Sequence, residues 1–261
     1  MINFSQRNIL IAGINNKKSV AYFIAKTLHE TQANLYLTTQ NQEQYTFVQT
    51  QFPEAKVFIC DVQNTESIAY LAQSLKDITL HGFVHSVAFA RMNPEWKFEQ
   101  TPWDAFAEAI RISSYSLMEM CYQLKNNFSK DASIVTISIS TTKVTSYGFM
   151  GPIKALLNST VDYLAKSFAQ DSQIRCNSIG AGPLKTSASA GIPNYVDNYL
   201  FSEQVTLRHF GLSTQEVANT ALFLLSPLSS GINATQITVD AGMSVNYFDE
   251  KVVKTYAQHK T

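Results

Sequence analysis

The chain has 261 residues, 45% of them hydrophobic and 15% charged, enough apolar side chain to fill one large α/β core. Twenty Lys and Arg balance twenty Asp and Glu, so the formal net charge is zero, which excludes the basic face of a nucleic-acid binder and the polybasic run that docks on anionic lipid. No apolar stretch is long enough for membrane insertion, and MINFSQRNILIAG lacks the parts of a signal peptide, so the cytoplasm is the expected compartment.

Short apolar runs alternate with amphipathic segments along the chain. Residues 7–13 (RNILIAG) read as a strand, 19–31 as a helix, 33–39 (ANLYLTT) as a second strand and 42–51 as a second helix. KVFICDV (56–62) is a third strand, and 64–76 a helix opened by an Asn or Thr cap. LHGFVHSVA (80–88) is a fourth strand, and 101–128 one long helix with Pro102 in its first turn. SIVTISIS (133–140) is a fifth strand, followed by a helix carrying Tyr147 and Lys154. QIRCNSIGAG (173–182) is a sixth strand, 214–226 a late helix and ATQITVDAG (234–242) a last strand. Cys60, Cys121 and Cys176 lie far apart with no Cys-x-x-Cys pair, which argues against a disulfide framework or a cysteine-rich metal site. His81 and His85 have i,i+4 spacing but fall in a strand and its exit, so no metal site is expected there.

Strands alternating with helices imply a parallel sheet covered on both faces. Seven strands with no compositional break predict a single doubly wound α/β domain of Rossmann type over residues 1–261. Residues 185–212 are rich in small and aromatic side chains, as a substrate-binding flap would be.

Tyr147 and Lys154 are seven residues apart, a spacing that puts both on one face of a helix. There a phenol and an ammonium can share a pocket, the ammonium favouring the charged form of the phenol and holding a cofactor hydroxyl. The turn after the first strand, Gly13-Ile14-Asn15-Asn16-Lys17-Lys18-Ser19-Val20, stands where a dinucleotide pyrophosphate meets a helix N-terminus, but it keeps only one glycine of the usual three.

Position by position, IAGINNKKSVAYFIAKTLHE resembles the loop of bacterial enoyl-acyl-carrier-protein reductases, a divergent branch of the short-chain dehydrogenase/reductase superfamily. Further matches follow in order: LTTQNQ with Gln40, Cys60-Asp61-Val62, His85 to Ala90, Ile112 to Ser116, AGPLKTSASAGI and PLSSGINATQITVDAG, covering about residues 5–248. The resemblance implies that Gly13, Ser19 and Val20 meet the phosphates, that Gln40, Asp61 and Val62 meet the adenosine, and that Ser86, Val87, Ala88, Ile137 and Ser138 lie along the nicotinamide half. Backbone groups of Ala181, Gly182, Pro183 and Leu184, with the Thr186 hydroxyl, would hold the carboxamide and pyrophosphate, and Lys154 the nicotinamide ribose. Ala90, Tyr147, Met150, Ala188 and Ile192 would face the substrate. The second strand ends in Thr38-Thr39-Gln40-Asn41 without a cation for a 2′-phosphate, which favours NADH over NADPH.

The implied reaction is hydride transfer from NADH to the β-carbon of a trans-2-enoyl thioester on acyl carrier protein, in fatty acid synthesis, with Tyr147 and Lys154 catalytic. The family's usual second Tyr, at the end of the fifth strand, is Ile139 here; Gly180 replaces a usual Ser and Lys185 a usual Arg. These departures leave open a different enoyl or carbonyl substrate, or a weakly active paralogue that binds cofactor in a regulatory or binding role. An ordinary carbonyl reductase wants a Ser further upstream of the Tyr, whereas Ser138 and Ser140 precede Tyr147 by nine and seven residues. The resemblance also implies a homotetramer with helices 101–128 and 147–169 in subunit contacts. For Leu117, Met118, Tyr122 and Leu157, core packing and subunit contact remain equally open. An acidic carrier protein calls for a basic patch at the pocket mouth, with Lys97, Lys185 and Arg208 as candidates.

Overall fold

The computed structural model of the protein describes residues 2–140, 145–186, 189, 192 and 195–258. Seven strands, β1 (Asn8–Ala12), β2 (Asn34–Thr39), β3 (Lys56–Ile59), β4 (Leu80–His85), β5 (Phe128–Ile139), β6 (Arg175–Ala181) and β7 (Thr235–Val239), form one sheet in the order β3-β2-β1-β4-β5-β6-β7. Every pairing is parallel, as the alternating pattern predicts. Strand order reverses beside β1, and the gap that opens at the strands' carboxyl ends there is where ligands of this architecture sit.

β1 shows how the sequence builds both faces at once. Neighbouring side chains of a strand point to opposite sides, so Ile9 and Ile11 enter one core and Leu10 and Ala12 the other. The first core is closed by α1 (Val20–Glu30) and α8 (Thr214–Leu225), through Ile24, Leu28, Val217 and Leu224. The second is closed by α3 (Thr65–Ser74), α5 (Ser116–Gln123) and α6 (Met150–Phe168), through Ile68, Leu71, Met120, Leu157 and Val161. The remaining helices are α2 (Gln42–Gln51), α4 (Trp103–Ile110), α7 (Tyr195–Val205) and α9 (Glu250–Gln258). Side-chain oxygens of Ser19, Asn41, Asn64 and Ser213 cap α1, α2, α3 and α8 by accepting N–H groups of the first turn.

Three expectations are corrected. The long helix of 101–128 is α4 and α5 joined by a π-helical turn, Arg111–Tyr115, and it stops at Gln123. A short 3-10 turn, Lys125–Asn127, follows, and β5 begins at Phe128, whose ring stacks on Phe83 and meets Phe168 edge-on. Next, Tyr147 is not on the helix of Lys154. It ends a 3-10 turn, Thr145–Tyr147; Gly148 follows in the left-handed region at φ 57°, and α6 starts at Met150. Pro152 explains the late start, because a residue without an N–H is tolerated in a first turn and not deeper. Finally, the 185–212 stretch contains a helix, α7, which its mixed small and aromatic sequence does not signal.

Candidate active site

A cavity of about 440 Å³ opens at the carboxyl ends of the strands. Its floor is made by successive strand exits. The turn after β1 contributes Gly13, Ser19 and Val20; the end of β2 contributes Gln40; the segment after β3 contributes Asp61 and Val62. Ser86, Val87 and Ala88 follow β4, Ile137 and Ser138 end β5, and Ala181, Gly182, Pro183, Leu184 and Thr186 follow from β6. Tyr147, Lys154 and Ile192 complete the expected set on the wall. Ala90 and Met150 lie off the wall, in a small apolar cluster with Phe149 and Ile153 that packs behind Tyr147. Ala188 lies outside the described residues.

Gly13 has a structural task here. Its φ is 100°, and a Cβ built on it would stand 2.3 Å from the Ser86 carbonyl oxygen. Only glycine lets the β1 exit lie against the β4 exit, where Ser86 N–H donates to Ala12 C=O at 3.0 Å. The Ser19 hydroxyl caps α1, accepting from Tyr22 N–H at 3.2 Å and donating to Asn16 C=O at 2.8 Å. At the end expected to meet the adenosine, Gln44 accepts from Gln40 N–H at 2.9 Å and donates to the Asn15 side chain at 2.7 Å, tying two loops together. Asp61 accepts from Gln63 N–H at 3.0 Å.

At the other end, Lys154 is 4% exposed and its ammonium donates to Ile137 C=O at 2.9 Å. Burial lowers its pKa to about 8. Burial raises the Tyr147 phenol to about 12, with the neighbouring Tyr195 adding a smaller push in the same direction. Desolvation favours the neutral form of both groups, which fits Tyr147 as a hydrogen-bond donor. Among the described residues lining the cavity, Lys154 carries the sole positive charge.

Two buried polar atoms bear on whether a ligand belongs here. Ser138 is 4% exposed and lines the cavity, and among the described residues its buried hydroxyl has no hydrogen-bond partner. A buried orphan hydroxyl is costly, and a polar ligand beside it removes that cost. The donors and acceptors around the cavity fit a dinucleotide: backbone N–H groups at a helix start, hydroxyls, and a lysine where a ribose would lie. The second atom is the Ile139 carbonyl oxygen, which accepts from the Gln236 side chain at 2.7 Å. A Cβ on Gly180 would come within 2.7 Å of that amide and 2.9 Å of that oxygen. Glycine at 180 thus leaves the gap through which Gln236 holds the backbone at the end of β5.

The sequence did not single out Gln44, Gln236 or Tyr195, which the fold brings to the site from distant or unpatterned segments. Gln236 pairs with Ser178 across β6–β7, and its side chain reaches two residues further along β6 to Gly180, a contact that only the folded register reveals. His85 is a satisfied core residue, bonded to Thr136 at 3.1 Å and Ser116 at 2.8 Å, with its pKa lowered by burial to about 3. Of the candidate basic residues, Arg208 is committed to Glu216 at 2.8 Å, and Lys185 lies 3.9 Å from Glu203.

A seven-stranded parallel sheet, a cavity at its switch point and a buried lysine beside a tyrosine define a doubly wound nucleotide-binding protein. The family model described as enoyl-(acyl carrier protein) reductase matches residues 13–244, and the chain belongs to that family. It is 34% identical to the enoyl-(acyl-carrier-protein) reductase (NADH) FabI of Buchnera aphidicola over 92% of this chain and 95% of that protein. It is 33% identical to the enoyl-(acyl-carrier-protein) reductase (NADPH) FabI of Staphylococcus aureus over 93% of this chain and 98% of that one. The Bacillus cereus enoyl-acyl carrier protein reductase, solved with NADP+ and indole naphthyridinone, superposes with a TM-score of 0.88 at 29% identity, covering 94% of this chain and 99% of that one.

Proposed function

We propose that the protein reduces the trans-2 double bond of an enoyl thioester carried on acyl carrier protein, with NADH as reductant, as a step of fatty acid synthesis. The observation that carries this is the meeting of three groups in one cavity of an enoyl reductase fold: the Tyr147 phenol, the Lys154 ammonium and the unpartnered Ser138 hydroxyl. When bound, the dinucleotide would supply a hydride to the β-carbon; the electrons of the double bond would move to the thioester oxygen, and the resulting enolate would take a proton from water at its α-carbon to give the saturated thioester. Tyr147, kept protonated by burial, donates a hydrogen bond to that oxygen as charge develops on it. Lys154, anchored on Ile137 C=O, holds the ribose hydroxyls and keeps the local potential positive. Backbone groups of Gly182 to Leu184, with Thr186, face the nicotinamide side. The described residues of the 185–212 stretch, Ile192 and α7 among them, would contribute to a flap over the acyl chain.

NADH is preferred because the β2 end, Thr38 to Asn41, has no cation for a 2′-phosphate. The assembly is a homotetramer through α4, α5 and α6. Leu117 and Leu157 are core, 1% and 0% exposed, whereas Met118 and Tyr122 face outward at 43% and 76%. No helix among the described residues is long and apolar enough to cross a membrane, and we place the enzyme in the cytoplasm. Purified protein should oxidise NADH with a crotonyl or longer enoyl thioester and leave a ketoacyl thioester untouched. Binding of NADH without reduction of any enoyl thioester would sink the enzyme reading and leave the cofactor-binding paralogue.

A further inference from the structure

Tyr195, the first residue of α7, reaches back across the cavity wall to one backbone residue. Its hydroxyl accepts from Leu184 N–H at 2.8 Å and donates to Leu184 C=O at 2.9 Å. Leu184 has no spare capacity while this holds. Its single N–H is used, and its carbonyl oxygen, which has two lone pairs, also accepts from Thr186 N–H at 3.0 Å, with the Ser189 hydroxyl 2.8 Å away and shared with Thr186 C=O. A primary carboxamide carries the same complementary pair as the phenol, one acceptor and one donor. The phenol therefore stands on the backbone groups that a carboxamide would need.

We propose that the Tyr195 hydroxyl competes with the dinucleotide's carboxamide for Leu184, so that the nicotinamide half binds by displacing it. This rests on the cofactor assignment above. The competition discriminates between parts of the cofactor: a ligand that lacks the carboxamide does not meet it. Tyr195 also lies near enough to Tyr147 to add to the upward push on that phenol, and both line the same cavity. Once displaced, the Tyr195 hydroxyl becomes a second phenol available on the acyl side, where the strand end offers Ile139.

The test is calorimetric titration of the full chain, without acyl substrate, using NADH and adenosine diphosphate ribose as separate ligands. Tyr195→Phe keeps the ring and removes only the competing hydroxyl. A net hydrogen bond or two against the incoming group corresponds to an affinity change of about three- to tenfold. The expected result is NADH binding tighter by about that factor in Tyr195→Phe, with adenosine diphosphate ribose binding unchanged, which also reports a folded site. Unchanged or weaker NADH binding overturns the proposal and makes Tyr195 a support of the Leu184 turn. A parallel shift for both ligands, loss of both included, overturns it as well. Failure of both ligands to bind wild type removes the cofactor assignment itself and the proposal with it.

Discussion

The two ends of the cavity are built by different means. The end proposed for the cofactor is a set of strand exits whose backbone is fixed by parallel pairing and by glycine at one crossing point, where Gly13 lies against Ser86. The end proposed for the acyl chain rests on side chains and on loops: Tyr147 sits on a 3-10 turn, the Ile139 carbonyl is held by Gln236 through the gap at Gly180, and Tyr195 reaches Leu184 from α7. Backbone-defined sites leave few residues free to change, whereas side-chain-defined sites tolerate exchange if the gaps are refilled.

The comparison breaks most sharply at Tyr147. In Tyr147→Phe only the hydroxyl is lost, and a hydrogen bond aimed at developing charge is worth on the order of 10²–10³ in turnover. Enoyl reduction should fall by that factor while NADH affinity, set at the other end, stays nearly constant. A Phe variant that keeps its steady-state rate would remove Tyr147 from the mechanism.

Lys154 joins the two ends, so its loss should affect both. Lys154→Ala should weaken NADH binding roughly tenfold and depress turnover, given the strength of charge-assisted bonds. The pH dependence follows from its lowered pKa of about 8. The ammonium is the form that donates to a ribose, so NADH affinity should fall as pH rises through about 8, long before Tyr147, near 12, loses its proton. Stability runs the other way. The folded pKa lies below the unfolded one, so the unfolded chain binds more protons between the two values, and Lys154's contribution to stability rises with pH across that window. Titrations of wild type and Lys154→Ala across this range should show the alkaline fall in the first and none in the second.

A smaller effect concerns the adenosine end. NADH should bind about tenfold more tightly than NADPH, the worth of one missing charge-assisted contact. Calorimetry with both would expose a hidden phosphate site if NADPH bound as well or better.

The smallest expected change sharpens the acyl end. Gly180→Ser should force the Gln236 amide off Ile139 C=O, costing roughly 1 kcal/mol and lowering the melting temperature by a few degrees. Gln236→Ala should do the same, and the double variant should add little. Additive losses would show that the two positions are not coupled.

Much of this was legible in the sequence. The strands and their order of succession follow from apolar runs, and a parallel sheet places each exit on the same edge; which exit residues would meet a cofactor came from the family resemblance. The Tyr147 and Lys154 pair was legible as a pair but not as a geometry: seven residues suggest one helix face, and Pro152 and Gly148 deny it. Gln236 and Tyr195 were not legible, since their partners Ile139 and Leu184 are brought to them by folding and leave no periodicity. The end of the long helix at Gln123 was missed because KNNF reads as a helix tail until Phe128 is seen to stack on Phe83.

The most direct measurement follows the transferred atom. NADH carrying deuterium at the reactive position of its nicotinamide is incubated with the protein and a trans-2-enoyl thioester of acyl carrier protein, and the product is analysed by mass spectrometry and NMR. The account predicts a saturated thioester with a single deuterium on the β-carbon. A saturated product without that label, or a label found only on a hydroxyl-bearing carbon when a ketoacyl thioester replaces the enoyl one, would contradict it.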